Sequence, residues 1–406
     1  MKSENNIVEG ALKVHKLTFW EAAMIIVGAN IGSGILGLAY SARKAGWPVL
    51  MLWLIIAGFF TTASMLYVAE TTLRTRKVMQ LPGLAKKYVG ELGAWLVFIS
   101  VAANTIGCLI AYTNGSGRIL SEMFGLSTQI GSLLFSFPAV IVVWFGLKAT
   151  GVAEKVISFG MMALLAVIIA ASFLAENSDL SNAIFTNWTY AIPVFNVAIF
   201  CYIAQYAVPE LARGLAHDQQ KLAPAIVTGM SLTMVLLALV PLAVLSLTGP
   251  ENVTQVATIA WGKALGEWAF FTANLFALAA MMTSYWAVAG SFLTNIVDKF
   301  NFKSEDDVKT RLFVLACVVI PPFILAYSGL VSFVDAIYLA GTFGGVIMSV
   351  LPVLMLRSAR KTGDMEPSWQ CGWIASAWVQ WSMIVLFCGA ALYAVLGLFG
   401  LLPAAW

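Results

Sequence analysis

Apolar residues fill most of this chain in runs parted by short polar turns. The runs fall at 19–40, 47–70, 94–117, 128–147, 152–175, 189–210, 223–247, 261–297, 310–327, 331–356 and 373–402. About 20 apolar residues suffice for one helical crossing of a bilayer, whereas barrel strands need about 10 and alternate in polarity. The pattern predicts an all-α polytopic membrane protein with 11 transmembrane helices. The eighth run is long enough to bend or to start as an interfacial helix. Residues 1–18 read as a polar tail without a signal-peptide cleavage site. No linker is long enough to set off a second domain, so 19–406 reads as one transmembrane unit.

Composition sharpens this. Of 406 residues, 60% are hydrophobic and only 11% charged, with a mean hydropathy of +0.88. A soluble domain carries about 25% charged residues, so a soluble enzyme is excluded. The net charge of +3 gives no reason to expect nucleic acid. Charge position says more. With the N-terminus in the cytoplasm, nineteen of the 23 Lys and Arg fall in inside segments. The exceptions are Arg43, Lys44, Arg118 and Lys263. Basic residues favour cytoplasmic loops, so the chain reads as a multi-pass plasma-membrane protein with its C-terminus outside. The 14 tryptophans cluster at span ends, as an interfacial belt does. The five cysteines lack metal spacing and read as small hydrophobes.

Two spans depart from plain helix. Span 1 carries Gly28, Asn30, Gly32, Ser33, Gly34 and Gly37 at its centre. Glycine costs up to about 1 kcal/mol in a helix interior, and broken backbone at that depth survives only where it lines a cavity or binds something. Close helix packing through small residues is the plain alternative. Span 6 has Pro193 and Pro209 at its ends and Asn196, Cys201, Tyr202, Gln205 and Tyr206 inside. It lies five spans after the first. Two five-span units in series must be inverted relative to each other, and an interrupted helix opening each unit marks an inverted-repeat transporter. The units are 19–175 and 189–356, with 373–402 as an extra helix.

Gly32-Ser33-Gly34-Ile35-Leu36 resembles the glycine-serine-glycine-isoleucine signature of the amino acid–polyamine–organocation superfamily. Ile192-Pro193-Val194, followed by Ile199-Phe200-Cys201-Tyr202, resembles the sixth helix of amino acid permeases. With the stretch 84–93 after span 2, the chain is similar to hydroxy and aromatic amino acid permeases and to the auxin-permease branch of neutral amino acid transporters. The resemblance implies a LeuT-type fold of five plus five inverted helices and one more. It implies that a substrate carboxylate meets the N–H groups of Ser33, Gly34 and Ile35, and that its ammonium meets carbonyls near Phe200, Cys201 and Ile203. Phe200 falls where related permeases keep an aromatic gate. Asn104 and Tyr112, on span 3, are further candidates for substrate contact. No Asp, Glu, Lys or Arg lies near the middle of spans 1, 3, 6, 8 or 10, which favours a neutral amino acid.

The coupling ion is read from span 8. Thr283 and Ser284 are adjacent hydroxyls that either bond their own helix carbonyls or, as the resemblance implies, hold Na⁺ together with the carbonyls of Gly28 and Ile31. Some proton-coupled relatives keep a lysine on helix 5; that position falls at the apolar Met162 or Ala163, with Lys155 two turns early. The reading favours Na⁺, with proton coupling or exchange as alternatives and a channel as a distant one. Glu21 and Glu210 are candidates for an inner gate, and Asp335, Tyr338 and Thr342 for an outer one. No resident cofactor and no obligate protein partner are expected; the partners are a neutral amino acid and the lipid bilayer.

Overall fold

The computed structural model describes residues 16–77, 79–145, 151–300, 302 and 307–402, with side chains for all of these except 151–159, 161 and 298. Most of the polar tail, Lys148, the Lys155 side chain and the charged turn at 303–306 lie outside what is described.

The described residues fold into helices joined by short turns. In chain order these are α1 (Phe19–Asn30), α2 (Ser33–Ala42), α3 (Trp47–Leu73), α4 (Leu81–Val89), α5 (Glu91–Phe124), α6 (Thr128–Phe145), α7 (Gly151–Leu174), α8 (Ala191–Phe200), α9 (Val208–Gly214), α10 (Leu222–Thr248), α11 (Ala257–Leu265), α12 (Glu267–Lys299), α13 (Val308–Tyr327), α14 (Phe333–Leu339), α15 (Val346–Thr362) and α16 (Ala377–Leu398). Among the described residues nine helical stretches are long and apolar enough to cross a membrane, and the bent pair α1–α2 makes ten. The expected fifth span falls on α7, whose apolar described part, Met162–Leu174, is shorter than a crossing. The long eighth run resolves into two helices: Gly266, at φ +106°, ends α11 and α12 starts at the next residue. Only glycine takes that backbone freely.

The face on which the described chain begins is called the near face here, and the opposite one the far face. A capping box starts α1: the Thr18 hydroxyl accepts from Glu21 N–H, and the Glu21 carboxylate accepts from Thr18 N–H at 2.9 Å. The turn from α2 into α3 passes Gly46, where any Cβ would collide with the Phe185 carbonyl. Long α5 is the central post, packed on α6, α12, α13 and α14. Around it α1 packs on α10, while α8 packs on α2, α3 and α14.

Among the described residues, three of the crossing stretches are interrupted partway. Span 1 bends by 54° between Asn30 and Ser33. Span 6 loses its helix between Phe200 and the turn at Gln205–Ala207. Span 10 widens into a π-helical turn at Ala340–Gly345 between α14 and α15. The first two were expected from glycine and proline. The third was not.

Candidate substrate and ion site

Each broken span leaves one kind of main-chain group open. In α1 the last bonds run from Ile31 N–H to the Val27 carbonyl (2.9 Å) and from Gly32 N–H to the Asn30 carbonyl (3.2 Å). A new helix then begins at Ser33, with Gly32 as its N-cap and no side chain capping it. The N–H groups of Ser33, Gly34 and Ile35 form its first turn, so none has an intrahelical acceptor. The positive end of the α2 dipole adds to them. The Ser33 side chain is 2% exposed, and its hydroxyl has no hydrogen-bond partner.

Span 6 leaves acceptors. As α8 ends, Cys201 N–H reaches the Val197 carbonyl at 3.3 Å and Ile203 N–H the Phe200 carbonyl at only 3.4 Å. The carbonyls of Cys201 and Ile203 receive no main-chain N–H among the described residues. This is the negative end of the α8 dipole. The two breaks touch each other: a Cβ on Gly34 would stand 2.7 Å from Cys201 Sγ and 3.0 Å from Phe200 Cδ1. Open donors and open acceptors therefore meet in one place without a formal charge.

Span 3 supplies the wall. A Cβ on Gly32 would lie 3.9 Å from Tyr112 Oη. The Tyr112 hydroxyl also lies near Ser284 on span 8 and Cys108 one turn away, with the Tyr206 phenol close by. Tyr112 thus links the first break to span 8. Thr283, beside it, donates to the Ala280 carbonyl at 3.0 Å, which is the bond within its own helix that the sequence left open. Gly28 has open space around it: a Cβ there would meet nothing within 4 Å.

Asn104 is placed against span 10: a Cβ on Gly344 would be 3.2 Å from its Cβ. The π-turn seats three neighbours at once, with Gly341 on Phe200, Gly344 on Asn104 and Gly345 on Ile203, 3.0 Å from its Cδ1. Reading the sequence missed this seat. Its signal was the trio Gly341, Gly344 and Gly345. Gln205 was noticed only as a polar residue in span 6; it is fully buried, with both amide atoms unpaired.

The expected gate residues sit mostly in local bonds. Glu21 caps α1, and Asp335 caps α14 through Ser332, whose hydroxyl donates to it at 2.6 Å. Thr342 donates to the Tyr338 carbonyl, and Glu210 is exposed. Glu70 is different. Its carboxylate is fully buried at the near face and accepts from Arg74 Nε (3.0 Å), Arg360 Nε and Nη2 (2.8 and 2.9 Å) and Cys371 N–H (2.8 Å). The strap between α15 and α16 is also held by Asp364, which pairs with Lys87 and takes Arg76 N–H. These donors keep the Asp364 carboxyl below its ordinary range, the Lys87 bond first. A separate cavity of about 180 Å³ at the far ends of α5, α6 and α13 is lined by Asn114, Arg118, Gln129 and Ser132 and shares no residue with the breaks.

Comparison with known proteins gives this geometry a family. The sequence model of the tryptophan/tyrosine permease family matches residues 15–396. The chain is similar to the tryptophan-specific transport protein of Haemophilus influenzae, at 25% identity over 84% of this chain and 87% of that one. It is also similar to the tyrosine-specific transport system 2 of the same organism, at 21% identity over 82% and 86%. Among solved structures, the crystal structure of MhsT in complex with L-phenylalanine superposes with a TM-score of 0.62, covering 96% of this chain and all of that one at 14% identity, which establishes the LeuT-type fold. With two broken helices at the centre of that fold and a family match over nearly its full length, the chain is an amino acid transporter and belongs to the tryptophan/tyrosine permease family.

Proposed function

We propose that this protein is an ion-coupled symporter of aromatic L-amino acids that works by alternating access at the plasma membrane, with Na⁺ as the coupling ion. One observation carries the reading: the uncapped N–H groups of Ser33, Gly34 and Ile35 face the open carbonyls of span 6 across the Gly34–Cys201 contact. An amino acid zwitterion needs one donor cluster and one acceptor cluster in a low-dielectric setting, and two half-helices provide both. The names of the family and of its relatives favour an aromatic side chain.

The near face is read as cytoplasmic from the distribution of Lys and Arg. On that reading this conformation is closed to the outside. Nine of the ten residues of α2 are buried on the far side of the break, while Gly28 on the near side is exposed. Na⁺ would take the carbonyls of Gly28 and Ile31 and the hydroxyls of Thr283 and Ser284 once α1 closes on α12, with Thr283 turning from the Ala280 carbonyl. Hydroxyl and carbonyl oxygens suit Na⁺ without a carboxylate. The test is uptake of tryptophan, tyrosine and phenylalanine into proteoliposomes under an inward Na⁺ gradient or an inward proton gradient. Na⁺-stimulated uptake of at least one is expected. A response to ΔpH alone removes the ion assignment, and uptake that needs internal substrate makes the protein an exchanger.

A further inference from the structure

Six amide side chains hold a buried atom without a hydrogen-bond partner: Asn30, Asn104, Asn196, Gln205, Gln255 and Asn274. An unpaired buried polar group is costly, so each asks for an explanation. Three spend their N–H on a neighbour. Asn30 donates to Met230 and Thr233 on α10, Asn196 to the Ala390 carbonyl on α16, and Asn274 to carbonyls of Phe270 and Thr258. Gln255 lies in the turn before α11. The turn holding Gln205 packs on α1 and α3. Asn104 alone stands on the wall formed by spans 3 and 10, and it makes no side-chain hydrogen bond among the described residues.

Its surroundings identify the space it borders. On α5 the residues Ser100, Asn104, Cys108, Tyr112 and Ser116 recur every four positions, so they form one polar stripe on an apolar helix. The stripe faces inward: the Ser100 hydroxyl donates to the Gly344 carbonyl at 2.6 Å, and Tyr112 meets the first break. Asn104 is in contact with span 10 yet partly exposed. Phe200, seated on the same π-turn, is also partly exposed. Both border the interior. Asn104 and Tyr112 are two turns apart, about 12 Å along the helix, and the Tyr112 ring leans back toward Asn104. A two-ring side chain held at the break and lying along this stripe would point its far edge toward the amide.

Resting on the proposed aromatic substrate, we infer that Asn104 is the specificity-determining residue that hydrogen-bonds the polar ring edge of the substrate, the indole N–H of tryptophan or the phenol O–H of tyrosine. Phenylalanine has no such group. A site that buries an amide for this bond rejects an analogue lacking the partner, because the amide is then left unpaired.

The test measures binding of tryptophan and of β-(3-benzothienyl)alanine, in which sulfur replaces the indole N–H, to the purified full chain in detergent. The wild type is expected to favour tryptophan at least about tenfold. Asn104→Leu keeps the size and removes the amide, so the preference collapses toward one and the sulfur analogue binds as well as it does to the wild type, or better. Equal wild-type affinity for the two ligands overturns the inference, and so does a preference that survives in Asn104→Leu. If Asn104→Leu does not fold, Asn104→Thr is used, and the wild-type ratio alone still decides against the idea when it is near one. A wild type that binds neither ligand, nor tyrosine, overturns the aromatic-substrate reading itself, and the inference falls with it.

Discussion

The break between spans 1 and 6 and the Glu70 cluster at the near face are both polar, both buried, and opposite in kind. At Glu70 every oxygen has partners: two arginines and a main-chain N–H converge on one carboxylate. At the breaks no side chain is charged, and the polar groups are left open: three helix-start N–H groups, two carbonyls and the Ser33 hydroxyl. A satisfied buried network rigidifies, whereas an unsatisfied one waits for a ligand. In this chain charge marks the structural joint, and its absence marks the site proposed for the amino acid.

The largest effect is expected where the network is complete. Glu70→Ala takes the buried carboxylate from Arg360 and leaves Arg74 only the exposed Glu366 at 3.7 Å, and breaking a buried pair in this way costs about 3–5 kcal/mol. Thermal unfolding in detergent should drop sharply, while amino acid affinity of the folded fraction stays within about twofold, since no residue of the break touches Glu70. Lost affinity with unchanged thermal stability would reverse the two roles. At the break the order is opposite. Gly34→Leu drives a side chain into Cys201 and Phe200, and binding should fall by more than about 100-fold as the donor cluster is filled. Retained affinity would place the carboxylate elsewhere.

Ser33→Ala separates the two regions more finely. The hydroxyl has no partner to lose, so stability should hold or rise slightly. A hydrogen bond to a charged carboxylate is worth about 1.5–3 kcal/mol, so affinity for the amino acid should fall about tenfold or more. A stability loss without an affinity loss would make Ser33 a packing residue.

The sequence made the first and sixth breaks legible because their causes are local. Gly28, Gly32, Gly34 and Gly37 crowd the middle of span 1, and Pro193 and Pro209 bracket span 6. The π-turn was not legible. Gly341, Gly344 and Gly345 have a ready explanation as small packing residues, and only the folded chain brings Phe200, Asn104 and Ile203 onto them together. Glu70 has one local partner, Arg74, but the others lie 290 and 301 residues away, beyond any local pattern. Thr283 and Ser284 look alike in sequence. One bonds its own helix and the other meets Tyr112, a difference set by which face of α12 turns toward α5. The lack of charged residues near the middle of spans 1 and 6 could be read directly from the sequence.

The smallest effect tests the joint from its edge. The Cys371 thiol is nearly buried and donates to the Leu66 carbonyl, while its main-chain N–H holds Glu70. Burial pushes its pKa up, and the Glu70 carboxylate adds to the push. The sign follows from comparing the two states. An unfolded thiol loses its proton near pH 8.5, whereas the folded one keeps it. Stability from this group is therefore complete below about pH 8.5 and declines as the pH rises above that value. Between pH 8 and 9 the loss should be under about 1 kcal/mol. It should disappear in Cys371→Ala, which leaves the main-chain bond to Glu70 in place. If wild type and variant lose stability in parallel over that interval, the thiol is not sealed in the joint, and the strap is looser than the Glu70 bonds imply.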